Sequence, residues 1–184
     1  MKHFKRAAAM LGLWVPAADA TGAGTGKNVT AIRVFTARVT GDATADPAQK
    51  NEFDSYVLED AWKGFFTDGT RFSAVKAAGG ITADSVTADS ITKEALSDAA
   101  VAYVNNANNA GTLANFAHDA QKWVRAHSTE FDGLSVKNPA QQVSGDADKT
   151  MGTATFNDLT AGYYLVFPDG GSTGDNSRGT DAIL

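Results

Sequence analysis

The chain predicts an α+β fold in which a β-sandwich or sheet carries a helical insertion of about three helices. Three observations carry that prediction: one long β-branched stretch after residue 28, amphipathic helical periodicity through the middle, and three closely spaced strand-like runs at the end. With 184 residues, 43% of them apolar and 20% charged, the chain holds enough apolar material for one core and not comfortably two.

The first strand is NVTAIRVFTARVT, Asn28 to Thr40, rich in β-branched residues and free of Gly and Pro. Ile32 and Val34 fall on one face, and Val29, Ala31, Phe35 and Ala37 on the other. Both faces being partly apolar predicts a strand covered on two sides or kinked partway. NEFDSYVLEDAWKGFF follows, with Phe53, Tyr56, Val57, Ala61 and Phe65 at three- and four-residue intervals, which predicts a short amphipathic helix capped by Asn51. The polar stretch from Gly69 to Thr87 reads as loop, with a short strand near Arg71 to Val75.

Two further helices are predicted over 92–106 and 112–127, with stripes through Leu96, Ala99, Ala100, Tyr103 and Val104, and through Leu113, Phe116, Ala117, Ala120, Trp123 and Val124. NNANNAG between them stops one helix and turns the chain, so an antiparallel hairpin should form and bury its joint apolar face on a sheet. A short strand is expected around Leu134 to Val136, and TATFNDL, GYYLVFPD and TDAIL read as the closing strands. Gly162 precedes Tyr163, where a connection into a strand calls for a positive φ.

The N-terminus has the order of a secretory leader. Lys2, His3, Lys5 and Arg6 precede the apolar run Ala7 to Ala18, and Ala18-Asp19-Ala20 places small residues at −3 and −1 of a cut after Ala20. Residues 1–20 are thus read as a signal peptide, 21–27 as a flexible linker and 28–184 as the domain. The apolar run is too short to span a bilayer as a stable helix. A net charge of −5, with no basic block after residue 6, argues against a nucleic-acid partner. Having no cysteine, the chain has no disulfide framework and no thiolate metal site.

Catalytic, cofactor and metal residues are sought and none is assigned. His118, Asp119, His127 and Glu130 cluster in sequence, but nine residues of helix set the two histidines roughly 180° apart. GAGTGK, Gly22 to Lys27, lacks the preceding strand and the spacing of a phosphate loop. No serine sits in a G-x-S-x-G elbow, Glu59-Asp60 and Asp146/Asp148 read as solvated carboxylates, and DADKT and GDNS lack EF-hand spacing. Trp62 and Trp123 read as core residues.

FNDLTAGYYLV, Phe156 to Val166, resembles the signature near the end of Ig-like domains in Gram-positive sortase-assembled pilins and related surface adhesins. AIRVFTA, Ala31 to Ala37, is similar to the first strand of the N-terminal domain of their backbone subunits, and a partly helical insertion between the two matches as well. The resemblance implies an Ig-like β-sandwich and a cell-surface, non-enzymatic structural subunit, with sortase and like subunits as partners and a host surface ligand as a further one. In that family a strand lysine forms an isopeptide bond with Asn or Asp beside a buried carboxylic acid. This chain has Arg33 on the first strand, Lys27 before it, and Phe167 where such domains often carry Glu. It has neither the lysine-bearing pilin motif nor a C-terminal sorting signal, and ends at Ala182-Ile183-Leu184 in what reads as mid-strand, which predicts an N-terminal piece of a longer protein. A secreted glycan- or protein-binding module is the alternative; a hydrolase is disfavoured because no nucleophile, base and orienting group can be assembled.

Overall fold

The computed structural model describes residues 7–14, 28–40, 52–139, 141–142, 151–168 and 182–183. In chain order these form β1 (Ala7–Trp14), β2 (Asn28–Thr40), β3 (Glu52–Leu58), α1 (Lys63–Phe66), α2 (Gly69–Ala78), α3 (Lys93–Asn109), α4 (Leu113–Ala126), β4 (Ser135–Pro139), β5 (Gln141–Gln142), β6 (Met151–Leu159), β7 (Gly162–Pro168) and β8 (Ala182–Ile183). One antiparallel sheet runs β3-β2-β7-β8, with β4 pairing the first half of β2 on the side where β3 pairs the second half. A separate three-stranded antiparallel sheet runs β1-β6-β5.

The fold is α+β, but the expected Ig-like β-sandwich is contradicted: the four helices and a small three-stranded sheet do not make a closed sandwich. The reason lies in the partner chosen by the apolar face of β2 and β7. Ile32, Phe35, Leu165 and Phe167 join one core with Trp62, Phe65, Phe66, Val75, Leu96, Val104, Phe116 and Val124, so helices do the work of a second sheet. That layer is rich in large aromatic rings meeting edge to face, among them Trp62–Phe65 at 5.6 Å and Phe65–Phe116 at 5.7 Å. Such pairs contribute about 0.5–1.5 kcal/mol each beyond their buried area.

Two sequence expectations fail locally. Residues 52–58 are a strand rather than part of a helix, because their antiparallel register with Phe35 to Thr40 overrides a helical spacing that an aromatic and β-branched run satisfies equally well. The stretch read as loop contains α2, whose apolar residues form no stripe: Val75 is its fully buried residue. Gly79 ends α2 and lies so close to α3 that an added Cβ would sit 2.5 Å from Ala99 Cβ.

Helices α3 and α4 form where their stripes predict, and the turn between them has Gly111 at φ 70° and Thr112 N–H donating to Ala107 O at 2.8 Å. Thr92 caps α3 by accepting from Ala95 N–H at 3.2 Å. The hairpin's buried stripe closes over the β2–β7 face, as the sequence requires.

Candidate functional site

The two segments that carry the family resemblance are direct neighbours: β2 and β7 pair antiparallel, and the register slips between Arg33 and Phe35. Ile32 faces Leu165 and Arg33 faces Tyr164, but Phe35 faces Tyr163, leaving Val34 as the extra residue of a β-bulge. This bulge is the kink that the two half-apolar faces of the strand called for. Ile32 and Phe35, three positions apart, enter one core together with Val34. Ala31 and Val166, a register pair outside that core, are also buried, so the strand is covered on both faces.

A bulge frees backbone groups that must find other partners. Here the β3-to-α1 connection supplies them: Glu59 N–H donates to Val34 O at 3.1 Å, and Trp62 Nε1 donates to Arg33 O at 2.8 Å. On the far side of β2, Arg33 Nε pairs with Glu59 Oε1 at 2.6 Å, and Thr36 Oγ1 donates to that same oxygen. Arg33 is also the register partner of Tyr164, whose hydroxyl donates to Thr160 O at 2.7 Å. β2 and the β3-to-α1 connection therefore meet, beside β7, on one ion pair of which 24% and 18% is exposed.

Gly162 is required here for a reason other than the positive φ expected of it. The described glycines with positive φ are Gly69, Gly80 and Gly111. At Gly162 an added Cβ would lie 2.4 Å from Phe35 O and 3.1 Å from Arg33 Cδ, so β7 can start beside the bulge only without a side chain. The two tyrosines that follow take opposite faces. Burial raises the Tyr163 phenol above its ordinary value, with the neighbouring Tyr56 adding to it. Burial raises Tyr164 too, and Arg33 opposes that shift.

Chemically the cluster is a clamp. Glu59 Oε1 is committed to two donors. The clamp joins β2 to the β3-to-α1 connection by an ion pair. Phe167 lies in the apolar core.

A shallow open pocket of about 200 Å³ adjoins the clamp, floored by Leu58, Ile91 and Leu96 and rimmed by Glu59, Asp60, Lys63 and Lys93. Lys93 Nζ pairs with the exposed Asp60 at 2.6 Å across it. Of Glu59 and Asp60, both read from sequence as solvated carboxylates, Asp60 is exposed whereas Glu59 is half-buried in the clamp, and both line the pocket.

The other residues singled out by sequence fall apart in space. His118 and Asp119 are exposed on α4, while His127 stacks on Trp123 at 4.0 Å with Nδ1 2.9 Å from Trp123 O. Glu130 is exposed in a 3-10 turn. Among the described residues no three His, Cys, Asp or Glu side chains gather as a metal site, and no helix is long and apolar enough to cross a membrane. Trp62 is fully buried and Trp123 partly so, its Nε1 buried without a hydrogen-bond partner among the described residues. Gly22 to Lys27, Asp146, Asp148 and the GDNS segment lie outside the described residues. The clamp was missed because Arg33, Glu59 and Tyr164 are far apart in sequence; the one signal was a charged residue in the middle of an apolar strand.

Compared with protein-family models, curated proteins and solved structures, the chain matches none of them.

Proposed function

We propose that the protein is an exported structural subunit of a cell-surface fibre of the sortase-assembled pilin kind, acting in adhesion through its neighbours rather than through catalysis. The observation that carries this reading is the pairing of AIRVFTA with GYYLV: the two runs that separately resemble pilin backbone subunits stand side by side, tied by a clamp at their bulge. A domain of this type serves by keeping its strands together under load. An ion pair sharing its carboxylate with Thr36 supports that service without covalent chemistry.

Antibody raised against residues 28–184 tests the reading on cell-wall extracts of the source bacterium. A ladder of bands that resists boiling in SDS, and collapses when sortase is deleted, is the expected result. A single band at monomer mass in the cytosolic fraction would overturn it.

The binding-module alternative rests on the Leu58 to Leu96 pocket, which has an apolar floor and both signs of charge at its rim. Glycan- and peptide-array binding by the isolated chain, lost on Lys93→Ala, is the outcome that would favour it.

A further inference from the structure

The segment read from sequence as the apolar part of a leader, AAAMLGLW, is built into the fold as β1, which pairs antiparallel with β6 through seven register positions from Ala7↔Leu159 to Trp14↔Met151. A cut after Ala20 would remove all of it. Among the described residues, the opposite edge of β6 is paired by the two-residue β5, at Gly152 and Thr153. Removal of β1 would therefore leave one whole edge of β6 with its N–H and C=O groups unpaired, and Phe156, fully buried and the register partner of Ala9, without its neighbouring strand.

We propose that the β6 edge occupied by Ala7–Trp14 is a strand-acceptor site: once the leader is removed, it takes an extended, uncharged, apolar strand from a neighbouring protein subunit. The chemistry of the occupant is read from the segment now in place, which carries neither charge nor proline over its eight residues. Backbone pairing supplies the affinity in such strand addition, and the length of the free edge sets the register. The leader thereby has a second consequence: while attached it fills the edge that a neighbour needs, and holds the unprocessed chain back from association. This inference rests on the exported, multi-subunit reading above for its occupant.

The test uses the full chain with a specific protease site inserted after Gly24. The chain is cut after folding, unfolded, and refolded with excess fluorescent peptide of sequence AAAMLGLW. The proposal expects saturable one-to-one incorporation of the peptide. Successive residues of a strand point their N–H to alternate edges, so of Met10→Pro and Leu11→Pro peptides one must lose a ladder bond and bind at least about tenfold more weakly. Hydrogen exchange on the uncut chain is the second measurement, with slow amides expected along Met151–Leu159. Absence of incorporation, equal incorporation of both proline peptides, or fast exchange along Met151–Leu159 in the uncut chain would each overturn the proposal. The exchange reads strand acceptance alone and the cell-wall ladder reads covalent assembly alone, so the two readings fail separately.

Discussion

The two faces of β2 solve the same problem, joining distant segments, by opposite means. Toward the helices, Ile32 and Phe35 enter a core of rings and aliphatic chains in which area and shape decide the energy. Toward the other side, Arg33 gathers Glu59, Thr36 and Tyr164, where charge and hydrogen-bond geometry decide it. The difference shows what the bulge at Val34 accomplishes: by shifting the alternation once, it gives the aromatic face to the helices and keeps a single polar cluster where backbone carbonyls need donors.

The largest expected effect comes from Trp62, which belongs to both sides. Its ring is fully buried against Phe65 and Phe131, and its Nε1 holds the Arg33 carbonyl. Trp62→Ala should cost about 3–5 kcal/mol of unfolding free energy, and Trp62→Phe should return most of the packing but not the hydrogen bond. Urea denaturation of the three proteins separates the two contributions.

Next comes Gly162→Ala, which drives a methyl group against a backbone oxygen that cannot rotate away. A loss of about 1–3 kcal/mol is expected, at the upper end because the obstacle is main chain. Ala161→Gly, one residue earlier, is the control and should change stability by less than about 1 kcal/mol.

Breaking the polar side alone should cost less. Arg33→Met keeps the aliphatic stem but leaves Glu59 half-buried without its cation, with an expected loss of about 1–3 kcal/mol, discounted toward the lower figure by the pair's partial exposure. Arg33→Lys restores the charge without the guanidinium fork and should recover only part of it.

The smallest effect is a pH dependence. The folded-state pKa of Tyr163 and of Tyr164 lies above the unfolded value, because burial disfavours the phenolate. Each contribution is therefore complete below about pH 10, the unfolded tyrosine value, and is lost as pH rises through the folded one. Unfolding free energy should be level up to about pH 10 and fall above it, and Tyr163→Phe should flatten part of that fall. A profile that instead rises above pH 10 would mean that the phenols are not buried.

Much of the architecture was legible in the sequence because local signals agreed with tertiary ones. Thr92, the Leu96 to Val104 stripe and Gly111 mark α3 and its end at the level of single residues. The half-apolar faces of β2 announced a strand covered on both sides or kinked partway. What stayed hidden depended on partners: Tyr56 and Leu58 suit a helix or a strand until β2 pairs with them, and α2 has no stripe to betray it. The sandwich expectation failed for the same reason, since an apolar strand face specifies burial but not whether a sheet or a helical hairpin provides it. Within the clamp, Arg33 was legible as a charged residue inside an apolar strand, while its partner Glu59 became visible only in space.

The most direct measurement is the set of nuclear Overhauser contacts around the Phe35 ring in the full chain. Contacts to the Phe66 and Tyr163 rings, with cross-strand contacts between Ile32 and Leu165, are the predicted result: a helical layer on one face of a bulged β2–β7 pair. A Phe35 ring in contact with strand residues of a second sheet, and with no helix residue, would contradict it.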